Sequence, residues 1–182
     1  GNFVTARPIG VVNGIDFHHT GRVRRVDASG INQQLADGSI VLLSPLGYSP
    51  TGEIFNLALE DIAVQCAAAI GADKLVLFGS PAGVLSHDGT LIRQCAAGEI
   101  DELPVDDPQQ ASLLQSAKRA CLAQVERCHI ISYEDDCALL QELFTHDGCG
   151  TLVANDDYEL SCEACIDDVG GILELIEPLE QQ

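Results

Sequence analysis

An α/β fold, with a parallel sheet and helices on its faces, is the class this sequence predicts, and three observations carry that reading. Three short apolar runs have the character of buried strands: "SIVLLSPLG" at 39–47, "DKLVLFG" at 73–79 and "CHIISY" at 128–133. Two longer stretches, 56–72 and 111–126, place apolar residues at helical spacing between them. The resulting β–α–β–α–β order is what a sheet with crossover helices requires.

Taken in order, residues 2–12 alternate weakly and read as a first strand. "GRVRRVD" at 21–27 alternates cleanly, with Val23 and Val26 set among basic residues. Residues 29–37 read as a short helix with Ser29 near its N-cap and Asp37-Gly38 at its end. The run at 39–47 closes on Pro45 and Gly47, and the helix at 56–72 stops at Gly71. "SPAGVLSHDG", after the strand at 73–79, is turn chemistry. Residues 91–110 are acidic and contain Pro, and they read as a mobile loop. "CALLQELFT" at 137–145 is a further helix, and "HDGCGTLV" at 146–153 is a glycine-broken turn into a last strand. From Asp156 the character changes. "IDDVGGILELIEPLEQQ" at 166–182 reads as a capped helix, and its apolar face suggests a second domain beyond this chain.

The 182 residues suit one ordinary domain, or one domain plus the edge of another. With 46% hydrophobic residues a packed core is expected. The net charge of −19, from 28 acidic and 9 basic residues, argues against nucleic acid or an anionic membrane as partner. No apolar run reaches the roughly 18–20 residues of a membrane helix. The chain opens Gly1-Asn2-Phe3-Val4, without a basic start or an apolar leader, so no signal peptide is expected. It contains no Met, so a cut or processed N-terminus is expected. The eight cysteines read mostly as reduced thiols, because a disulfide scaffold would be shorter and less apolar. Cys66 and Cys121 sit in helical patterns beside Ala, where a free Cys behaves as a small hydrophobe.

Two stretches carry candidate chemistry. "LSPLGYSPTGEIFNL" at 43–57 places Gly47 and Gly52 in a rigid loop at the carboxyl end of an expected parallel strand. Open α/β sheets bind ligands there. Asn56, at the helix entrance, could cap the helix or meet a ligand amide, and a simple turn fits equally well. In "LLQELFTHDGCGT" at 139–151, Glu142 lies inside an apolar helix leading into Gly148-x-Gly150. A carboxylate beside close-approach backbone carbonyls suits a guanidinium or ammonium ligand. A solvent-facing Glu before a hairpin turn is the plainer alternative. Cys162-x-x-Cys165 has no second pair at zinc spacing, and Cys128-His129 cannot complete it, since adjacent strand residues face opposite ways. His18-His19 reads as surface. No metal site is therefore expected, and no P-loop, GxGxxG, HExxH or GxSxG is present.

Four segments carry a specific resemblance: "GRVRRVD", "IVLLSPLGYSPTGEIFNL-x-x-ED-x-A", "CHIISYEDD-x-ALLQELFT-x-DG-x-GTLV" and "IDDVGGILELI-x-PLEQQ". In this order they resemble the bacterial N-acetylglutamate synthase family over essentially the whole chain except 91–110. The resemblance implies a three-layer α/β/α amino-acid-kinase-like domain, related to carbamate kinase, joined to a GNAT acetyltransferase domain. Residues 1–157 would be the C-terminal half of the kinase-like domain, and 158–182 a linker and the first GNAT helix. The intact enzyme would transfer acetyl from acetyl-CoA to L-glutamate in arginine biosynthesis, as a cytoplasmic, ring-like homo-oligomer. No catalytic residue and no bound cofactor would lie in this chain. What it would carry is the allosteric L-arginine site, with Glu142 on the guanidinium, Gly148 and Gly150 beside it, and the strand end at Ile131 and Ser132 close by.

Some positions depart from the family pattern: Cys137 where Gly is common, Cys149 where an aliphatic is common, and Ser161, Cys162 and Glu177 where basic residues are frequent. An active amino-acid kinase is the main competing expectation. It is disfavoured because Ala117 stands where the kinase's catalytic Lys aligns, with Lys118 one step away, and Glu60 stands where its Asp aligns. A ligand-free interaction remnant, docking through 169–179, is a further alternative.

Overall fold

A computed structural model describes residues 2–80, 83–145 and 148–155. The second domain segment, the helix expected at 166–182 and the Cys162/Cys165 pair lie outside the described residues. Chain order begins with β1 (Val4–Pro8), a small hairpin of β2 (Val11–Val12) and β3 (Ile15–Asp16), β4 (Gly21–Val26) and α1 (Ala28–Ala36). β5 (Leu46–Tyr48), β6 (Ile54–Asn56) and α2 (Leu59–Ile70) follow. Then come β7 (Lys74–Gly79), the hairpin of β8 (Val84–Leu85) and β9 (Leu91–Ile92), β10 (Gln94–Ala96) and a 3-10 turn at Ile100–Glu102. α3 (Pro108–Leu122), β11 (Arg127–Ser132), α4 (Ala138–Phe144) and β12 (Thr151–Ala154) complete the described chain.

The class is α/β, with two mixed four-stranded sheets. The first runs β4-β1-β5-β6 and the second β10-β12-β11-β7. The expected parallel crossover is present where α3 links β7 to β11, paired in register from Lys74–Arg127 to Gly79–Ser132. β12 departs from a wholly parallel sheet. α4 packs beside β11, and the chain doubles back through the Gly148–Gly150 turn to run antiparallel to it. α2 seals the first sheet over Val4, Ala6, Phe55, Leu57, Ile62 and Cys66. α3 covers the second, where Leu114, Ala117, Cys121, Cys128, Ile130 and Val153 are almost wholly buried. A seam of Val64, Ala67, Ala120 and Val125 joins the two helices.

Three expectations are corrected. The apolar run at 39–47 is a strand only from Leu46, and Ile40 and Leu42 are about nine-tenths exposed (89% and 90%). Hydrophobicity predicts burial, but a strand also needs a neighbour, and no described strand lies beside residues 39–44. Residues 91–110 are ordered: β10 pairs with β12, and Cys95, Ala97 and Ile100 enter the core. The acidic residues there, Glu99, Asp101, Glu102, Asp106 and Asp107, are exposed in the turn and loop after β10, while Cys95, Ala97 and Ile100 are buried. α1 is capped by Asp27, which accepts from the Gly30 N–H, and not by Ser29. Among the described residues no helix is long and apolar enough to cross a membrane.

Candidate functional site

β7 and β11 begin side by side, with Lys74 opposite Arg127. Side chains alternate along a strand, so His129 shares the Arg127 face and Cys128 points the other way, into the core. α4 lies over that face. Its buried Ala138 and its Glu142 are four residues apart and therefore both turn toward β11. The chain then returns through Gly148–Gly150 into β12, with Leu152 opposite His129. These elements enclose a cavity of about 350 Å³ lined by Lys74, Arg93, Arg127, His129, Glu142 and the two glycines, among others.

The Glu142 side chain is 6% exposed and closely held. His129 Nδ1 donates to Oε1 at 2.7 Å, and the backbone N–H groups of Cys149 and Gly150 donate to Oε2 at 2.8 and 2.9 Å. Burial pushes the carboxyl up, but these hydrogen bonds and the attraction of His129 outweigh it, leaving Glu142 below its ordinary value. Three of a carboxylate's roughly four acceptor positions are taken, leaving about one for an incoming N–H. The other ring nitrogen of His129, Nε2, is buried and has no hydrogen-bond partner among the described residues.

The glycines are needed by this geometry. Gly148 has φ +59, and a Cβ there would stand 2.7 Å from Oε2 of Glu142. A Cβ at Gly150 would stand 2.3 Å from the Ile130 carbonyl oxygen. The turn thus presents its N–H groups to the carboxylate, where carbonyl groups facing a ligand were expected.

Other sequence candidates fall elsewhere. Ser132, at the far end of β11, accepts from the Glu134 N–H at 3.0 Å and does not line the cavity, nor does Ile131. The loop at 43–57 is the β5–β6 hairpin. Gly47 is buried there because a Cβ would meet Ala6 and Leu57, both at 2.7 Å, and Gly52 has φ +88 in the tip. Asn56 ends β6, its N–H donates to the His19 carbonyl at 2.7 Å, and α2 is capped by Ala58 instead. A cavity of about 420 Å³ opens beside this hairpin, lined by Phe3, Leu42, Leu43, Ser44 and Tyr48 among others, but Gly47, Gly52 and Asn56 do not line it. Ala117 is fully buried under the sheet, and Lys118 pairs with Asp101 at 2.6 Å. Among the described residues no group of His, Cys, Asp and Glu could hold a metal, and the six described cysteines are free thiols. Lys74, Arg93, Arg127 and His129 are cavity residues that sequence reasoning missed. The apolar strands were visible, but the register that brings Lys74 level with Arg127 is not written in either strand alone.

The model of the amino acid kinase family matches residues 2–132. The amino-acid acetyltransferase of Pseudomonas fluorescens (strain SBW25) is 57% identical over 185 residues, covering all of this chain and 43% of that protein. The chain therefore spans less than half the length of the curated relatives it matches. The structure of N-acetylglutamate synthase from Neisseria gonorrhoeae, complexed with coenzyme A and L-arginine, superposes with a TM-score of 0.85 at 37% identity over 98% of this chain and 42% of that one. Carbamate kinase from Giardia lamblia, at 14% identity and a TM-score of 0.57, covers 75% of this chain and 47% of that one and shares the fold alone.

Proposed function

The chain belongs to the amino acid kinase family, and from that premise we propose that it is the L-arginine-sensing part of an amino-acid acetyltransferase, N-acetylglutamate synthase. The intact protein transfers acetyl from acetyl-CoA to the α-amino group of L-glutamate. The similarity to amino-acid acetyltransferases along the whole chain supports this activity. Acetyl transfer is carried out by residues outside this chain, which binds no cofactor. The protein works in the cytoplasm as a homo-oligomer, with residues 1–157 as the kinase-like sensor and 158–182 leading into the acetyltransferase domain.

The observation that carries the arginine reading is the buried pair of His129 and Glu142 at the cavity wall. The acceptor position left open on the carboxylate calls for an N–H donor. Lys74 on the same wall favours an anionic group. A ligand with several N–H donors at one end and a carboxylate at the other meets both demands, and L-arginine is such a molecule. Glu142 takes the guanidinium, the Cys149 and Gly150 N–H groups hold Glu142, Gly148 lets the turn close over it, and Lys74 faces the α-carboxylate. Ser132 takes no part.

Phosphoryl transfer is not favoured. Fully buried Ala117 and the Lys118–Asp101 pair leave no lysine there to meet a moving phosphoryl group. The deciding measurement is calorimetry with L-arginine on the intact protein and on its Glu142→Ala variant. The variant should bind at least tenfold more weakly, and equal affinity in the two proteins would sink the assignment.

A further inference from the structure

Residues of β1, β4, α2 and α3 line a second charged cavity of about 390 Å³. Arg7, Arg22 and Arg119 line it, with Val23, Gln65 and a single carboxylate, Asp61. The chain has only nine lysines and arginines against 28 acidic residues, and three of the nine line this one cavity. Arg7 and Arg22 are direct cross-strand partners in the antiparallel β1–β4 pair. Like charges in that relation oppose strand pairing. Neither side chain has a hydrogen bond or ion pair among the described residues to offset the repulsion. Arg119, by contrast, is anchored: Nη1 donates to Asp61 Oδ1 at 2.5 Å, and Nη2 to Ser116 Oγ at 3.3 Å. One guanidinium is thus fixed by two helices, and two more face it from the sheet. Set against Asp61, they leave a local surplus of two positive charges.

We infer that this cavity is an oxyanion site for a dianionic phosphoryl group, held by Arg7 and Arg22 on the sheet and oriented by Arg119. Arginine forks match the oxygens of a phosphate in paired hydrogen bonds, which a lysine cluster would not do. The bound dianion supplies the counter-charge that the Arg7–Arg22 register lacks. The overall field of a −19 chain repels anions, so binding here depends on these local arginines and not on long-range attraction. The site lies on different elements from the Glu142 cavity, and the inference does not rest on the arginine reading.

The test is titration of the intact protein with inorganic phosphate and, in a parallel arm, with a nucleoside monophosphate, each against chloride at equal ionic strength. A saturable single site is expected, weakened at least tenfold in Arg7→Gln and in Arg22→Gln. Tighter binding of the monophosphate would mark the ligand as a phosphate ester, and equal binding as free phosphate. Thermal melts give a second readout that survives a poorly behaved variant. Phosphate should raise the melting temperature of the parent protein, and anion-free Arg22→Gln should be at least as stable as the parent, since the cross-strand repulsion is gone. No saturable binding to the parent, as would follow if an acidic segment of the protein filled the cavity, would overturn the inference. So would binding that both variants leave unchanged.

Discussion

Glu142 is the residue on which most of the site depends, because it is buried, charged and held by three donors. Glu142→Gln keeps the shape but replaces one acceptor oxygen with an NH2 that must face a donor. A loss of about 1–3 kcal/mol is expected in urea unfolding. The pH dependence has a definite sign. The folded carboxyl is held below its ordinary value of 4.5, so the stability it contributes is present above that value. That contribution is lost as pH falls through the lower, folded value, and the Gln variant should lack this part of the acid limb. Lys74 has a separate role to test. Lys74→Ala should weaken L-arginine at least tenfold but leave agmatine, which has no carboxylate, nearly unchanged in calorimetry. Equal losses for both ligands would remove Lys74 from the carboxylate. Glu142, Gly148 and Gly150 were legible in sequence because an acid in an apolar helix before two glycines is an unusual local pattern. His129 was not, because its partner lies 13 residues away across a helix–strand contact.

At the scale of elements, what was readable followed from local pattern, and what was missed followed from pairing. α2 and β11 came through with their ends within a few residues, since Gly71 in the left-handed conformation and an unbroken apolar run mark them. α3 begins earlier than the pattern suggested. Asp107 accepts from the N–H groups of Gln109 and Gln110, with Pro108 in the first turn, a start signal hidden inside a stretch that looked like loop. Asp107→Ala should cost about 0.5–2 kcal/mol in chemical denaturation. The strand at 94–96 escaped notice because its partner is β12, more than 50 residues onward. One residue ties this edge together. Thr151, fully buried, accepts the Val84 N–H at 2.8 Å and donates to the Ile92 carbonyl, joining the β8–β9 hairpin to β12. Thr151→Val keeps the volume and leaves both backbone groups unpaired. A loss of about 1–3 kcal/mol is expected, with faster hydrogen exchange at the Val84 amide. Unchanged exchange there would mean that the hairpin is held by its own pairing.

Across the whole molecule the charge is unevenly spent. Of the nine basic residues, three line the Glu142 cavity and three the Arg7 cavity, so most of the positive charge is gathered in two small regions of a chain with net charge −19. An acidic field draws in a ligand of net positive charge such as L-arginine, and the draw falls as salt screens it. The association rate for L-arginine should therefore decline with ionic strength, while the dissociation rate, set by contacts inside the cavity, should change little. Binding to the folded state must also raise stability by mass action. At a free concentration about 100 times its dissociation constant, L-arginine should add about 2.7 kcal/mol to unfolding of the parent protein. The same concentration should add far less to Glu142→Gln. The paired measurement separates two causes that a single melt would confuse. If the variant were weakened only by lost packing, L-arginine would still restore about the same increment from a lower baseline. If Glu142 receives the guanidinium, the increment itself shrinks. A full increment in the variant would move the ligand away from this wall, whatever the change in baseline stability.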